Sequence, residues 1–400
     1  MSKVKAVFQN KWVRLIGISS IIALPILFGT IFMSNQSWTL GGEKTILMWF
    51  EHVSKDSPER RNEWKDSLLL IDVHDDKTLV TLYDEDSLKC GTEIAVNHAH
   101  LYRMLQDLQK ADNYRYIILD VFLDKEIAQS GDSTLYQLIA SMSRIVVACG
   151  TEPLADSCLY SKAGSVQYST TLWENDFVKY TYIDNGQRSM PLFMYEELTG
   201  KHVVRKGPFL CEDGDLVQRN VILTYNVVWN KRLYDRRLCS DMICDDSSDE
   251  PAILPSRSDG KYVLIGDFKS DIHNTFLGEM PGVLINFNAY CSLVKGHHRL
   301  SLWYLFNLYV VFVLLVLLTI HRSTLARFVM WFGYPVILGA LCLITYICYH
   351  QTYDVLSITL LYYLLEKLVY IWECRESIRW WFKRNKVILW VRKKLEKHLK

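Results

Sequence analysis

Three short apolar runs in this chain end in a carboxylate. Leu68–Ile71 leads into Asp72, Tyr116–Leu119 into Asp120, and Tyr262–Gly266 into Asp267. Asp75, Asp76 and Asp124 follow closely and add negative charge behind the first two runs. Carboxylates gathered along one edge can hold a cationic ligand, or a divalent metal through oxygen. A metal held there could in turn assist hydrolysis. The alternative is that these acids cap helices and satisfy loop amides. Asp271 and His273 form a further pair close to Gly266, placed either to line the same edge or to serve the loop. The ligand-binding residues expected on this basis are Asp72, Asp120, Gly266, Asp267 and Asp271.

Other chemistry is poorly supported. A phosphotransferase with an aspartate nucleophile after its first strand needs a second carboxylate two residues on, and His74 stands there. His74, His98, His100 and His273 make no metal-binding motif; His98 and His100, two apart on a helix, point away from one another. No metal and no cofactor is expected. Seven of the ten cysteines lie between residues 34 and 301. An oxidising exterior permits disulfides. Cys239 and Cys244 would close a short loop worth roughly 2 kcal/mol, with Cys211 a rival partner for either. Cys149, at the end of an apolar run, reads as a small core residue.

The elements that must position the acids follow from the same runs. They are continuous rather than alternating, which suits strands buried on both faces. Arg144–Gly150 is a further such run. Leu101, Met104, Leu105 and Leu108 mark one face of a helix, and Leu135, Leu138, Ile139 and Met142 mark another, with Asp132 or Ser133 to cap it. Strand and helix alternate, so the sheet is mainly parallel. Its strand ends gather along one edge, where open α/β sheets bind ligands. Pro281 opens another helix, Val283 to Val294. Residues 34–62 read as a polar stalk and Ser247–Arg257 as a loop. Residues 151–255 read as a mixed β extension with antiparallel strands.

Four apolar stretches frame this α/β domain: residues 15–33, 302–320, 328–349 and 355–372. Each is close to the length that crosses about 30 Å of hydrocarbon. Lys3, Lys5, Lys11 and Arg14 precede the first, and no small-residue cleavage site follows it, so it reads as an uncleaved anchor. Arg322 and Arg327 lie between the second and third stretches, whereas Asp354 is the charged residue between the third and fourth. Residues 373–400 hold ten Lys or Arg against three Glu. Positive residues favour the cytoplasmic side, so residues 1–14 and 373–400 are expected inside and residues 34–301 outside. The net charge of +1 therefore conceals an exterior segment near −11 and a basic interior. That distribution suits membrane lipids as a partner and argues against nucleic acid. In the tail, Ile378, Trp381, Phe382, Ile388 and Val391 recur near helical spacing among basic residues, as in a helix lying at the headgroups or docking a partner. Intramembrane charge is confined to Glu366 and Lys367, too little for an ion pathway.

In order along the chain, these pieces resemble the type-two CHASE extracellular sensory domain of bacterial cyclases and kinases. The matching pieces are the strand ending in Asp72, the helix HAHLYRML from His98, and the strand ending in Asp120. They continue with the Gly131–Asp132 helix start, the Val146–Val147 strand, and Asn185–Arg188 followed by Pro191–Leu192. The most specific block is Gly260–Gly266, Asp271, Met280–Val283 and Asn288–Ala289, with three apolar stretches directly behind it. The resemblance implies an exterior domain that binds a small ligand, in the cytoplasmic (inner) membrane of a bacterium. It also implies signalling through the membrane helices, and a homodimer is a frequent arrangement. The family commonly carries an output domain after the last span, and the 28 residues here hold no catalytic signature. Output is therefore expected through a separate cytoplasmic or membrane signalling protein, and the chain is not expected to be an enzyme. The alternatives are an extracytoplasmic metal-assisted hydrolase and a non-catalytic membrane tether for a protein complex.

Overall fold

Each apolar run has two cores to serve. The computed structural model describes residues 11–36, 38–54, 64–83, 88–150, 152–173, 176–207, 209–223, 226–229, 236–239, 253–321 and 333–373. Six strands form a parallel sheet: β1 (Leu68–Asp72), β2 (Tyr116–Asp120), β3 (Ile145–Cys149), β4 (Ala163–Ser165), β5 (Arg236–Leu238) and β6 (Tyr262–Gly266). Their order is β5-β1-β6-β2-β3-β4, every neighbour parallel. Leu68, Leu70, Tyr116, Ile118 and Leu264 enter one core with Met190, Leu192, Val283 and Phe287. The alternate residues Leu69, Ile71, Ile117, Leu119 and Ile265 enter the other with Leu101, Met104, Leu105 and Ile139. Burial on both faces is why these strands lack polar alternation.

Helices pack on both faces. On the second core lie α1 (His98–Ala111) and α2 (Asp132–Ser141); on the first lie α3 (Met190–Thr199) and α4 (Gly282–Val294). Asn97 starts α1 by accepting the amides of Ala99 at 3.1 Å and His100 at 3.2 Å, a cap worth about 1 kcal/mol. Ser189 caps α3 in the same way, with Pro191 in its first turn. Pro281 precedes α4, whose whole length to Leu293 is buried.

Several expectations are corrected. Asp132 does not cap α2: its carboxylate binds the buried His98 at 2.9 Å and the Tyr136 hydroxyl at 2.7 Å, and it accepts the amide of Gln129. Residues 34–62 are not merely a stalk, since Trp38–Thr39 pairs with Tyr168–Thr171 and the helix Gly42–Ser54 buries Leu47 and Glu43. Glu43 is neutralised by the equally buried Lys179 at 3.0 Å. Ile253–Ser258 is a short helix rather than loop, with Leu254 in the second core. The hairpin Lys77–Tyr83/Lys89–Val96, and the edge strands β4 and β5, have no clear signal in the apolar pattern. Antiparallel strands do fill the 151–255 stretch, as a three-stranded meander at Val203–Val217 and the ladder between Tyr168–Thr171 and Phe177–Thr181.

The chain divides into two units. The α/β unit spans residues 32–304 together with 342–353. In it, His350 stacks on His297 with centroids 4.0 Å apart, and Gln351 donates to the Arg299 carbonyl. The apolar unit contains residues 1–31, 305–341 and 354–400. Within it, Tyr362 stands edge-on to Phe312 at 6.1 Å and Tyr309 donates to the Ser20 carbonyl at 3.3 Å. Two helices, Trp12–Ser34 and Leu302–Ile320, are long and apolar enough to cross a membrane; Val336–Tyr349 and Val355–Leu365 are shorter apolar helices. Arg322, Arg327 and the basic tail lie outside the described residues.

Candidate functional site

Gly266 pairs in register with Asp72 on one side and Asp120 on the other. All three face the core beneath α4. A Cβ at Gly266 would lie 3.1 Å from the Cβ of Val283 and 3.4 Å from that of Asp120. The absent side chain is what lets the start of α4 settle on the strand ends. One turn on, Asn286 reaches Asp120: its Nδ2 donates to Oδ2 at 2.9 Å. The hydroxyl of Tyr180 donates to the other end of the same amide. Tyr180, Asn286 and Asp120 thus form one relay that runs from the core to the half-buried carboxylate.

A cavity of about 330 Å³ opens over this relay. Phe122, Tyr168, Phe177 and Tyr180 supply aromatic walls, and Asp271 and His273 stand opposite Asp120. His273 Nε2 lies 3.0 Å from Asp271 Oδ1, and the Tyr168 ring stands edge-on to the imidazole at 5.2 Å. Asp271 is held against the start of α4, where the Gly282 amide donates to its carbonyl at 3.0 Å. A broader hollow of about 660 Å³ shares Gly150 with this cavity but holds only Glu152 and Arg188 as charged residues, of opposite sign.

The electrostatics single out Asp120. Burial pushes its carboxyl up to about 7, and Asp271 adds to the shift, while His273 and Asn286 oppose it. The hydrogen bond that His273 donates to Asp271 raises the pKa of the imidazole and favours its protonated form. Burial, reinforced by Asp120, holds the Tyr180 phenol well above its ordinary range, so it stays a neutral donor.

The four acids and one glycine expected at one ligand site therefore separate. Asp120 and Asp271 line the cavity. Asp72 is fully buried and internally satisfied: it accepts the amides of His74 at 3.0 Å and Phe268 at 3.2 Å, and pairs with the Arg236 guanidinium. Asp267 is held by Lys77 at 2.7 Å and His74 at 3.0 Å. Burial would raise the pKa of Asp267, but Lys77 and the amides of Ser270 and Lys269 outweigh it and hold the carboxyl far below its usual range. Gly266 gives α4 its close approach and does not line the cavity. Of the cysteines, Cys211 and Cys239 are buried free thiols, and Cys239 lies 3.8 Å from the Met104 sulfur. Cys211 and Cys239 are thus not joined to one another; Cys244, the other expected partner, lies outside the described residues.

Tyr168, Phe177, Tyr180 and Asn286 escaped the sequence reasoning. Asn286 had the clearest signal, a polar side chain within the apolar run Val283–Val294. The aromatics come from antiparallel strands whose pairing the sequence does not disclose. Among the described residues, no group of three or more His, Cys, Asp or Glu side chains is placed to share a metal ion.

Comparison of the chain with family models, curated proteins and solved structures returned no match.

Proposed function

We propose that this chain is a membrane-anchored sensor, CHASE-like in plan, whose α/β domain takes a small ligand into the Asp120 cavity. The domain lies on the extracytoplasmic side of a bacterial inner membrane, carried by four spans with both termini inside. Binding shifts the population of two arrangements of the membrane helices, and a separate signalling protein reads the change. The chain acts as a receptor and not as an enzyme.

One observation carries this proposal: a ligand-sized cavity with aromatic walls and a carboxyl titrating near neutrality, set at the carboxyl ends of a parallel sheet, where α/β folds bind ligands. The two span-length helices and the basic flanks support anchoring. The hydrolase alternative has no metal-ligand group among the described residues. A passive tether gives no reason for the cavity.

The test is thermal unfolding of the full chain in lipid nanodiscs against a panel of small metabolites. A ligand at a hundredfold excess over its Kd stabilises the fold by about 2.7 kcal/mol. We expect at least one stabilising compound, recovered unchanged after incubation, whose effect is lost in Asp120→Asn. Stabilisation by none of the panel contradicts the receptor; consumption of the compound favours a hydrolase.

A further inference from the structure

We infer that the cavity selects a small organic cation with a primary ammonium group, seated between Asp120 and the aromatic walls. This rests on the Asp120 cavity being a ligand site.

The charge balance of the lining carries the argument. Asp120, Asp271 and His273 are its charged-type residues. Asp271 and His273 face each other at 3.0 Å and neutralise one another. Asp120 is left over: among the described residues it takes part in no ion pair, and its Oδ1 receives no hydrogen bond. Its one donor is the neutral amide of Asn286, to Oδ2. A half-buried carboxylate without a counter-charge pays part of its desolvation uncompensated, so an ammonium delivering both charge and N–H donors to Oδ1 is the complement this cavity lacks.

The walls agree. Tyr168, Phe177 and Tyr180 line the space and pack ring against ring, and aromatic rings attract a cation through their π faces. An anion would meet two carboxylates, with the one cationic group already engaged. A bare divalent metal would find too few oxygen and nitrogen ligands. At about 330 Å³ the cavity is at the small end of ligand sites, which suits a compact amine.

A pH signature follows. Asp120 is faced by Asp271 and His273 from the loop and strand after β6, by Tyr180 from the antiparallel sheet, and by Asn286 from α4. An ammonium binds the ionised form of Asp120, so binding releases a proton. With a carboxyl titrating near 7, affinity rises about tenfold from pH 6 to pH 8. Loss of the His273 proton at higher pH acts in the same direction.

Three probes of similar shape provide the test: butylammonium, butan-1-ol and butyrate, titrated calorimetrically onto the full chain in nanodiscs at pH 6, 7 and 8. We expect butylammonium alone to bind, about tenfold more tightly at pH 8 than at pH 6. Asp120→Asn removes most of that pH dependence and leaves the smaller contribution of His273, Asp271→Asn weakens binding, and Asp75→Asn, outside the cavity, changes neither. Binding of butan-1-ol or butyrate in place of butylammonium, lost in Asp120→Asn, overturns the cation and leaves the ligand site standing. Binding of no probe, or binding of butylammonium indifferent to Asp120→Asn, overturns both.

Discussion

Asp72 and Asp120 end equivalent strands, in register with Gly266 on either side, yet they do different things. The difference lies in what the neighbouring segments bring. The edge strand β5 delivers Arg236 to Asp72, whereas α4 delivers a neutral amide to Asp120. Asp72 is consequently a structural anion, and removing it strands the Arg236 guanidinium. Breaking a buried pair in this way typically costs about 3–5 kcal/mol; with Arg236 partly exposed, we expect about 2–3 kcal/mol for Asp72→Ala. Chemical denaturation measures the loss, and the affinity of the surviving folded fraction for butylammonium should be unchanged. A stability unchanged within 0.5 kcal/mol would remove the structural role given to Asp72.

At the scale of elements, the start of α4 both packs the sheet and builds the site. Gly282 is the pressure point. A Cβ there would fall 2.1 Å from Asp271 Oδ2, but that carboxylate ends a half-exposed side chain able to swing outward. Gly282→Ala is therefore expected to cost little stability, under about 1 kcal/mol, while displacing Asp271 from His273 and weakening ligand binding. Paired melting and titration measurements separate the two effects; a large stability loss would mean that the backbone, not the carboxylate, yields. Much of this frame is legible in the sequence. The runs at Leu68, Tyr116, Ile145 and Tyr262 declare buried parallel strands because both faces are apolar, and the periodicity of Leu101–Leu108 declares α1. The charged-type residues of the cavity are legible too, as Asp120, Asp271 and His273. The rest is not, because Tyr168, Phe177 and Tyr180 arrive on a short, irregular hairpin that a distant strand at Asn220–Val221 extends, which leaves no clear periodic trace. The edge strands β4 and β5, of three residues each, are too short to show a period.

For the whole molecule, the distribution of charge and apolar length says more than any motif. Two helices have the length to span a bilayer, and an acidic segment separates a basic N-terminus from a basic tail. A sensor built on this plan must present the α/β domain outside, where its ligand is, and that sidedness is open to direct measurement. Cys90 is exposed on the hairpin Lys89–Val96. Treating intact cells with a membrane-impermeant maleimide should label the chain, and Cys90→Ser should lower that labelling. Labelling of Cys90 only after the membrane is permeabilised would put the domain in the cytoplasm and contradict an extracytoplasmic sensor.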